Sequence, residues 1–283
     1  MRPPAALLLA LPFALPGPLS GLAPATALAA DAVPVRLEAR LVDGAPALEG
    51  GVVWRVFRDA ATPTSTGLEL AAETTDAVAA IDLAPGTYYV HAAFGRAGVT
   101  QRLDVEAVPV ARSLVLHAGA LRLDATSGGR ALDPERLRFN IYRAKPGRSG
   151  VRRLVAFDLP PRRMVRLNAG TYHVVSTYGR VNTQVRADLV VREGEVTDAT
   201  LQHRGAPVTL RLASEPGGPP VASTRWAVFT AQGQKVFETA RIAPSLVLAE
   251  GSYEAVATNG ERTLRHPFEV EAGDPVGVEI VLP

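Results

Sequence analysis

The chain has 283 residues, 47% of them hydrophobic and 20% charged, with a formal net charge of +2. That length and balance describe a globular protein of one to three domains. The absence of cysteine excludes disulfides, thiol catalysis and a lipid-modified cysteine. The 25 glycines and 23 prolines suit a turn-rich β protein better than a helical one.

The first 29 residues read as an export signal. Met1-Arg2 is a minimal charged region, Ala5 to Leu15 is apolar, and Ala27-Leu28-Ala29 offers small residues for cleavage before Ala30. Pro12, Pro16 and Pro18 disfavour the alternative of a membrane-spanning helix, which needs about 20 apolar residues in a row. The expected location is periplasmic or secreted, with no membrane segment after cleavage.

Beyond the signal, one pattern is written three times. Leu83-Ala84-Pro85-Gly86-Thr87-Tyr88 returns as Leu167-Asn168-Ala169-Gly170-Thr171-Tyr172 and as Leu248-Ala249-Glu250-Gly251-Ser252-Tyr253. The spacing predicts three repeats, 30–117, 118–204 and 205–283. Each begins with an alternating strand: Val35 to Leu41, then Leu121 and Leu123, then Val208 to Leu212. An aromatic strand follows, as Trp54-Arg55-Val56-Phe57, Phe139-Asn140-Ile141-Tyr142 and Trp226-Ala227-Val228-Phe229. Alternation places Trp54 and Val56 on one face and Phe57 on the other.

The repeated glycines, Gly86, Gly170 and Gly251, read as the third position of a type II turn, where φ > 0 is required. The tyrosines Tyr88, Tyr172 and Tyr253 read as core residues of the strand that follows. Hairpins are expected at Gly95-Arg96-Ala97-Gly98 and at Asn259-Gly260, the latter as a type I′ turn. Return strands run through Leu103 and Val105 and through Phe268 and Val270. A closing strand aligns Leu114 to His117 with Thr200 to His203 and with Ile280 to Leu282.

Six or seven short strands per repeat predict an all-β protein of three tandem antiparallel β-sandwiches. An aromatic strand, then Leu-x-x-Gly-Thr-Tyr, then a hairpin and a closing strand resembles the prealbumin-like sandwich domains. These include the carboxypeptidase regulatory-like modules and the B-type repeats of bacterial collagen adhesins. The pattern also resembles tandem-repeat exported proteins of alphaproteobacteria. The resemblance implies modules for spacing or binding, not catalysis. Adhesin repeats of this kind often carry a Lys–Asn isopeptide bond from the first strand. Here the opening strands carry Arg36, Arg40, Arg122 and Arg211 instead, and arginine stays protonated.

No hydrolase, zinc-protease, phosphate-loop or EF-hand pattern occurs, so no catalytic residue, cofactor or metal is expected. His117 and His203 align as surface histidines at strand ends beside the linkers. The least bland signal is charge. From Arg130 to Arg166 eleven basic residues meet three acidic ones, a net of +8, while the flanking repeats are net acidic. The candidate anion-binding residues are Arg143, Lys145, Arg148, Arg152, Arg153, Arg162 and Arg163. An envelope protein or an anionic polysaccharide is the expected partner. An exported chain with no nucleic-acid module is not expected to bind nucleic acid.

Overall fold

The computed structural model describes residues 32–59 and 67–283. The expected export signal at 1–29 lies outside the described residues. Every regular element described is a strand. The first repeat holds β1 (Val33–Arg40), β2 (Val52–Asp59), β3 (Leu68–Thr74), β4 (Val78–Leu83), β5 (Gly86–Phe94), β6 (Ala97–Val105) and β7 (Val110–Val115). The second holds β8 (Ala118–Ser127), the two-residue β9 (Arg130–Ala131), β10 (Leu137–Arg143), β11 (Leu154–Leu159), β12 (Met164–Asn168), β13 (Gly170–Tyr178), β14 (Gln184–Val191) and β15 (Val196–His203). The third holds β16 (Gly205–Ala213), β17 (Thr224–Thr230), β18 (Lys235–Thr239), β19 (Ser245–Ala249), β20 (Gly251–Asn259), β21 (Arg262–Val270) and β22 (Val276–Val281).

The same two sheets form in each repeat. A smaller one has order β4-β1-β7, β12-β8-β15 or β19-β16-β22, and a larger one β3-β2-β5-β6, β11-β10-β13-β14 or β18-β17-β20-β21. Alternating apolar residues of both sheets meet in three core clusters. Trp54, Phe139 and Trp226 are fully buried in them, as period-2 alternation demands when one face is solvated.

The sheets are antiparallel as expected except at one pair in each repeat. In every repeat the first and last strands pair in parallel. A parallel outer pair makes the chain enter a repeat at one end and leave at the other. The next repeat therefore starts at the end where the last one stopped.

The Gly-Thr-Tyr motif also differs from a type II turn. Gly86, Gly170 and Gly251 open their strands with φ of 158°, 141° and 139°, not the +80° of a type II third position. At Gly170 and Gly251 this is backbone that only glycine tolerates. The tyrosine two residues on is buried in each repeat. Its hydroxyl donates to the carbonyl four residues back: Tyr88 to Ala84 at 2.8 Å, Tyr172 to Asn168 at 2.8 Å and Tyr253 to Ala249 at 3.0 Å. Ring and hydroxyl together pin the strand entry against the core.

The hairpin turns shift by one residue. Phe94 pairs with Ala97 and Asn259 with Arg262, so the turns are Gly95-Arg96 and Gly260-Glu261. Only the first residue of each has positive φ, 66° and 57°, which fits type II′ rather than I′.

The closing strands correct the histidine alignment. Leu114 faces Ala39 and Leu201 faces Ala125, so Leu201, not Thr200, matches Leu114. That one-residue slip moves every side chain to the other face. His203 therefore takes the place of buried Leu116 and is only 1% exposed, contrary to the surface position expected. His117 matches Arg204, and its side chain is exposed.

Candidate interaction surface

Two kinds of surface stand out: the junctions between repeats and the basic face of the second. At the first junction the β5–β6 turn of repeat 1 meets β12 of repeat 2. Arg96 N donates to Arg166 O at 3.1 Å. The Asn168 amide binds both Gly98 N (3.2 Å) and Gly98 O (3.1 Å) and reaches Leu116 O at 2.8 Å. The Arg166 guanidinium lies 4.3 Å from the centre of the Phe94 ring, a cation–π contact.

At the second junction the glycine that opens the turn again faces the equivalent strand residue, Gly179 against Val247 as Gly95 against Arg166. The β13–β14 turn of repeat 2 meets β19 of repeat 3, with Val247, 1% exposed, packed into the core of repeat 2. Asn182 accepts from Ala249 N and donates to the Tyr253 hydroxyl, both at 2.9 Å. Linker bonds recur as well: Ala169 N to His117 O at 2.7 Å, then Glu250 N to Arg204 O at 3.0 Å. Gly194 N bonds Ala118 O at 2.8 Å, and Gly273 N bonds Gly205 O at 3.0 Å. Asn168 and Asn182 were not singled out by sequence reasoning. Asn168 stands where the other repeats carry alanine, and Asn182 lies in a turn two residues longer than Gly95-Arg96 and Gly260-Glu261.

Beside the second junction, His203 Nε2 and Ser176 Oγ lie 2.7 Å apart in a buried bond. The Tyr178 ring packs edge-on to the imidazole at 6.1 Å. His203 Nδ1 has no partner among the described residues. Burial lowers its pKa to about 4, since an imidazolium there would lack water. A polar cleft of about 930 Å³ also opens at this junction. Two of its arginines are already engaged, Arg138 with Asp158 at 3.4 Å and Arg136 with Ser245 Oγ at 3.2 Å.

The seven expected anion-binding residues fall into two groups. Arg143, Lys145, Arg148, Arg152 and Arg153 lie on or beside the loop between β10 and β11. Arg162 and Arg163 lie at the other end of β11, roughly 17 Å away at about 3.3 Å per residue. Arg162 is paired with Asp124 at 2.8 Å. Arg143 donates to the Tyr172 hydroxyl at 3.1 Å and stacks over its ring at 5.2 Å. Burial raises the Tyr172 pKa, and the charges of Arg143 and Arg153 partly offset that. Lys145, Arg148, Arg152 and Arg153 are exposed and have no carboxylate within salt-bridge distance among the described residues.

The loop is held by its own backbone. Arg143 N donates to Arg153 O (2.9 Å), Gly147 N to Val151 O (2.9 Å) and Gly150 N to Gly147 O (3.0 Å). Arg152 Nε adds a bond to Ala144 O at 3.0 Å. Among these cations stand exposed apolar residues that the charge count overlooked: Val151 at 67%, Leu154 at 47% and Phe157 at 68%. Phe157 has the opposite parity to buried Ala156, which was the available signal; Leu154 shares that of Ala156 and is exposed where the register with β10 slips.

Residues 207–282 match the sequence profile of the Rhizobiales growth-associated tandem repeat domain, and they cover the strands of the third repeat. No curated protein matches the chain. Among solved structures, the chain is similar to the TIE protein of Bacillus anthracis, with 14% identity and a TM-score of 0.27 over 89% of this chain. It spans 50% of the length of that protein. It is also similar to a minor pilin of Streptococcus agalactiae, at 12% identity and TM-score 0.35, over 60% of this chain and 95% of the pilin. The major pilin subunit of Bacillus cereus gives 10% identity and TM-score 0.26, over 88% and 99%.

Proposed function

We propose that this protein is a non-enzymatic structural and interaction protein of the cell envelope, exported by its first 29 residues. Its repeats 30–117, 118–204 and 205–283 act as prealbumin-like sandwich modules. The basic face of the second is offered to an anionic envelope component. The observation that carries the reading is the linker between repeats, bonded twice from the same backbone positions. Side chains that are conspicuous in the sequence, such as Trp54, Tyr172 and Trp226, are committed to cores. A chain that fixes the placing of its modules is suited to spacing and presentation. The growth-associated family matched by residues 207–282 supports placing that task in envelope growth.

Dissection tests the modular reading. Repeats 30–117 and 205–283, expressed singly, are expected to give β-type circular dichroism and dispersed amide spectra. Unfolded single repeats would overturn it. For the interaction role, the full chain is expected to crosslink to a defined envelope component. Its recovery as a free monomer after crosslinking in whole cells speaks against that role.

A further inference from the structure

The two most exposed large apolar side chains among the described residues, Phe157 and Val151, lie in one seven-residue segment with Leu154. The same segment carries Arg152 and Arg153 and continues a loop bearing Arg143, Lys145 and Arg148. We propose that this loop and β11 dock the protein onto an anionic lipid surface. The proposal rests on the reading that the second repeat's basic face meets an anionic envelope component, and it names that component as lipid.

Charge alone does not separate a lipid from a polysaccharide, but the apolar residues do. A sugar reader needs a flat ring flanked by hydrogen-bonding groups. A branched aliphatic such as Val151, held out on a loop, offers neither. It does offer hydrocarbon to a bilayer, as Phe157 does, with cations alongside at the level of the headgroups. Elsewhere in the repeat, several arginines are neutralised in place: Arg122 by Asp198, Arg138 by Asp158 and Arg162 by Asp124. Lys145, Arg148, Arg152 and Arg153, with no carboxylate partner among the described residues, lie beside the exposed apolar side chains.

The edge of β11 is poorly suited to the other partner of an exposed strand, an added peptide strand. Its register with β10 breaks twice, and Asp158 sits at φ 53° with its N–H taken by Asn140 Oδ1 at 2.8 Å. Such bulges blunt an edge against strand addition. The backbone bonds that close the loop hold its cations in place before any contact.

The test is co-sedimentation of the full chain with vesicles of equal phosphatidylglycerol and phosphatidylcholine, against phosphatidylcholine alone. Binding only to the anionic vesicles is expected, weakening with salt. Arg152→Ala with Arg153→Ala is expected to lower the partition about thirtyfold, at roughly fivefold per cation. Phe157→Ser is expected to lower it about tenfold while leaving the salt dependence unchanged. In Phe157→Trp, emission is expected to shift to the blue on anionic vesicles, over the constant signal of buried Trp54 and Trp226. Circular dichroism of each variant confirms that it is folded.

An unchanged partition for Phe157→Ser overturns the proposal, as does equal binding to neutral vesicles. Binding to soluble polygalacturonate with none to vesicles also overturns the lipid assignment, while the basic-face reading stands. Binding to neither sinks both.

Discussion

The two junctions share their linker backbone bonds and differ in the side chains that fill them. At the first, the bridging asparagine belongs to the following repeat, as Asn168; at the second it belongs to the preceding one, as Asn182. At the first, Arg166 stacks on Phe94; at the second, Val247 is buried in the neighbouring core. The linker bonds are therefore constant and side-chain content is free to vary. A residue should matter at a junction in proportion to how closely the backbones meet there.

The turn glycines should separate the two junctions by the largest margin. Gly95, Gly179 and Gly260 are equivalent, with φ of 66°, 76° and 57°. A Cβ on Gly179 would lie 2.6 Å from Val247 Cβ, and one on Gly95 3.1 Å from Arg166 Cβ. A Cβ on Gly260 would meet nothing within 4 Å. Gly260→Ala should cost only the backbone strain of about 1 kcal/mol. Gly95→Ala should cost about 2 kcal/mol and Gly179→Ala about 4 kcal/mol, as overpacking adds to strain. Unfolding of linked repeats is not two-state, so the reporter must be local. Trp54 and Trp226 lie in repeats 1 and 3, and each can be read in a variant where the other is Phe. Equal effects for the three substitutions would show that the turns are not docking points.

Acid should separate the junctions next. His203 stands at the second where Leu116 stands at the first. Its folded pKa of about 4 lies below the unfolded value near 6.5. Between those values the unfolded chain binds the proton and the folded chain does not. Stability is therefore intact above pH 6.5 and falls as pH drops, by about 3 kcal/mol near pH 4. Amide exchange of β15 should accelerate across that window while β7 stays protected. Ser176→Ala with His203→Leu should remove the difference. An unchanged acid slope in that double variant rules His203 out as its source.

The sandwich class and the three-fold period were legible because they rest on alternation and on a motif with one required glycine and one buried tyrosine. Trp54, Phe139 and Trp226 announced their faces by parity. The turn types were not legible, because Gly-to-Gly spacing does not say which residue begins the turn. His203 was misplaced for a related reason: Thr200 to His203 looks like Leu114 to His117, and only the ladder reveals the slip. The charge run was visible but its division was not. Arg143 to Arg153 and Arg162 to Arg163 are separated by a strand whose direction the count ignores. Asn168 and Asn182 were hidden most deeply, since their partners lie in another repeat.

Those asparagines offer a smaller and more specific test. Asn168→Ala strips partners from Gly98 N, Gly98 O and Leu116 O and should cost about 2 kcal/mol, with part of the loss regained from water. Asn182→Ala strips two groups and should cost about 1 kcal/mol. If the approach geometry is common, the asparagine can change sides. Asn182→Gly with Ala249→Asn moves the asparagine to the following repeat, as at the first junction, facing a turn two residues longer, and should recover part of what Asn182→Gly alone loses. A double variant no more stable than the single, read by Trp226 fluorescence, means that the junctions are alike in backbone only.

The tyrosine hydroxyls are the finest probe. Tyr88→Phe removes only the bond to Ala84 O, about 1 kcal/mol. Tyr253→Phe removes the bond to Ala249 O and also leaves Asn182 Nδ2 without its acceptor. It should therefore cost measurably more, by a few tenths to about 1 kcal/mol. In an Asn182→Ala background that excess should vanish, because the second bond is already gone. A double-mutant cycle in guanidinium, followed by Trp54 for Tyr88 and by Trp226 for Tyr253, reads the difference directly. A coupling near zero between Asn182 and Tyr253 means that the tyrosine serves its own repeat alone, and the second junction is held by Val247 and the backbone.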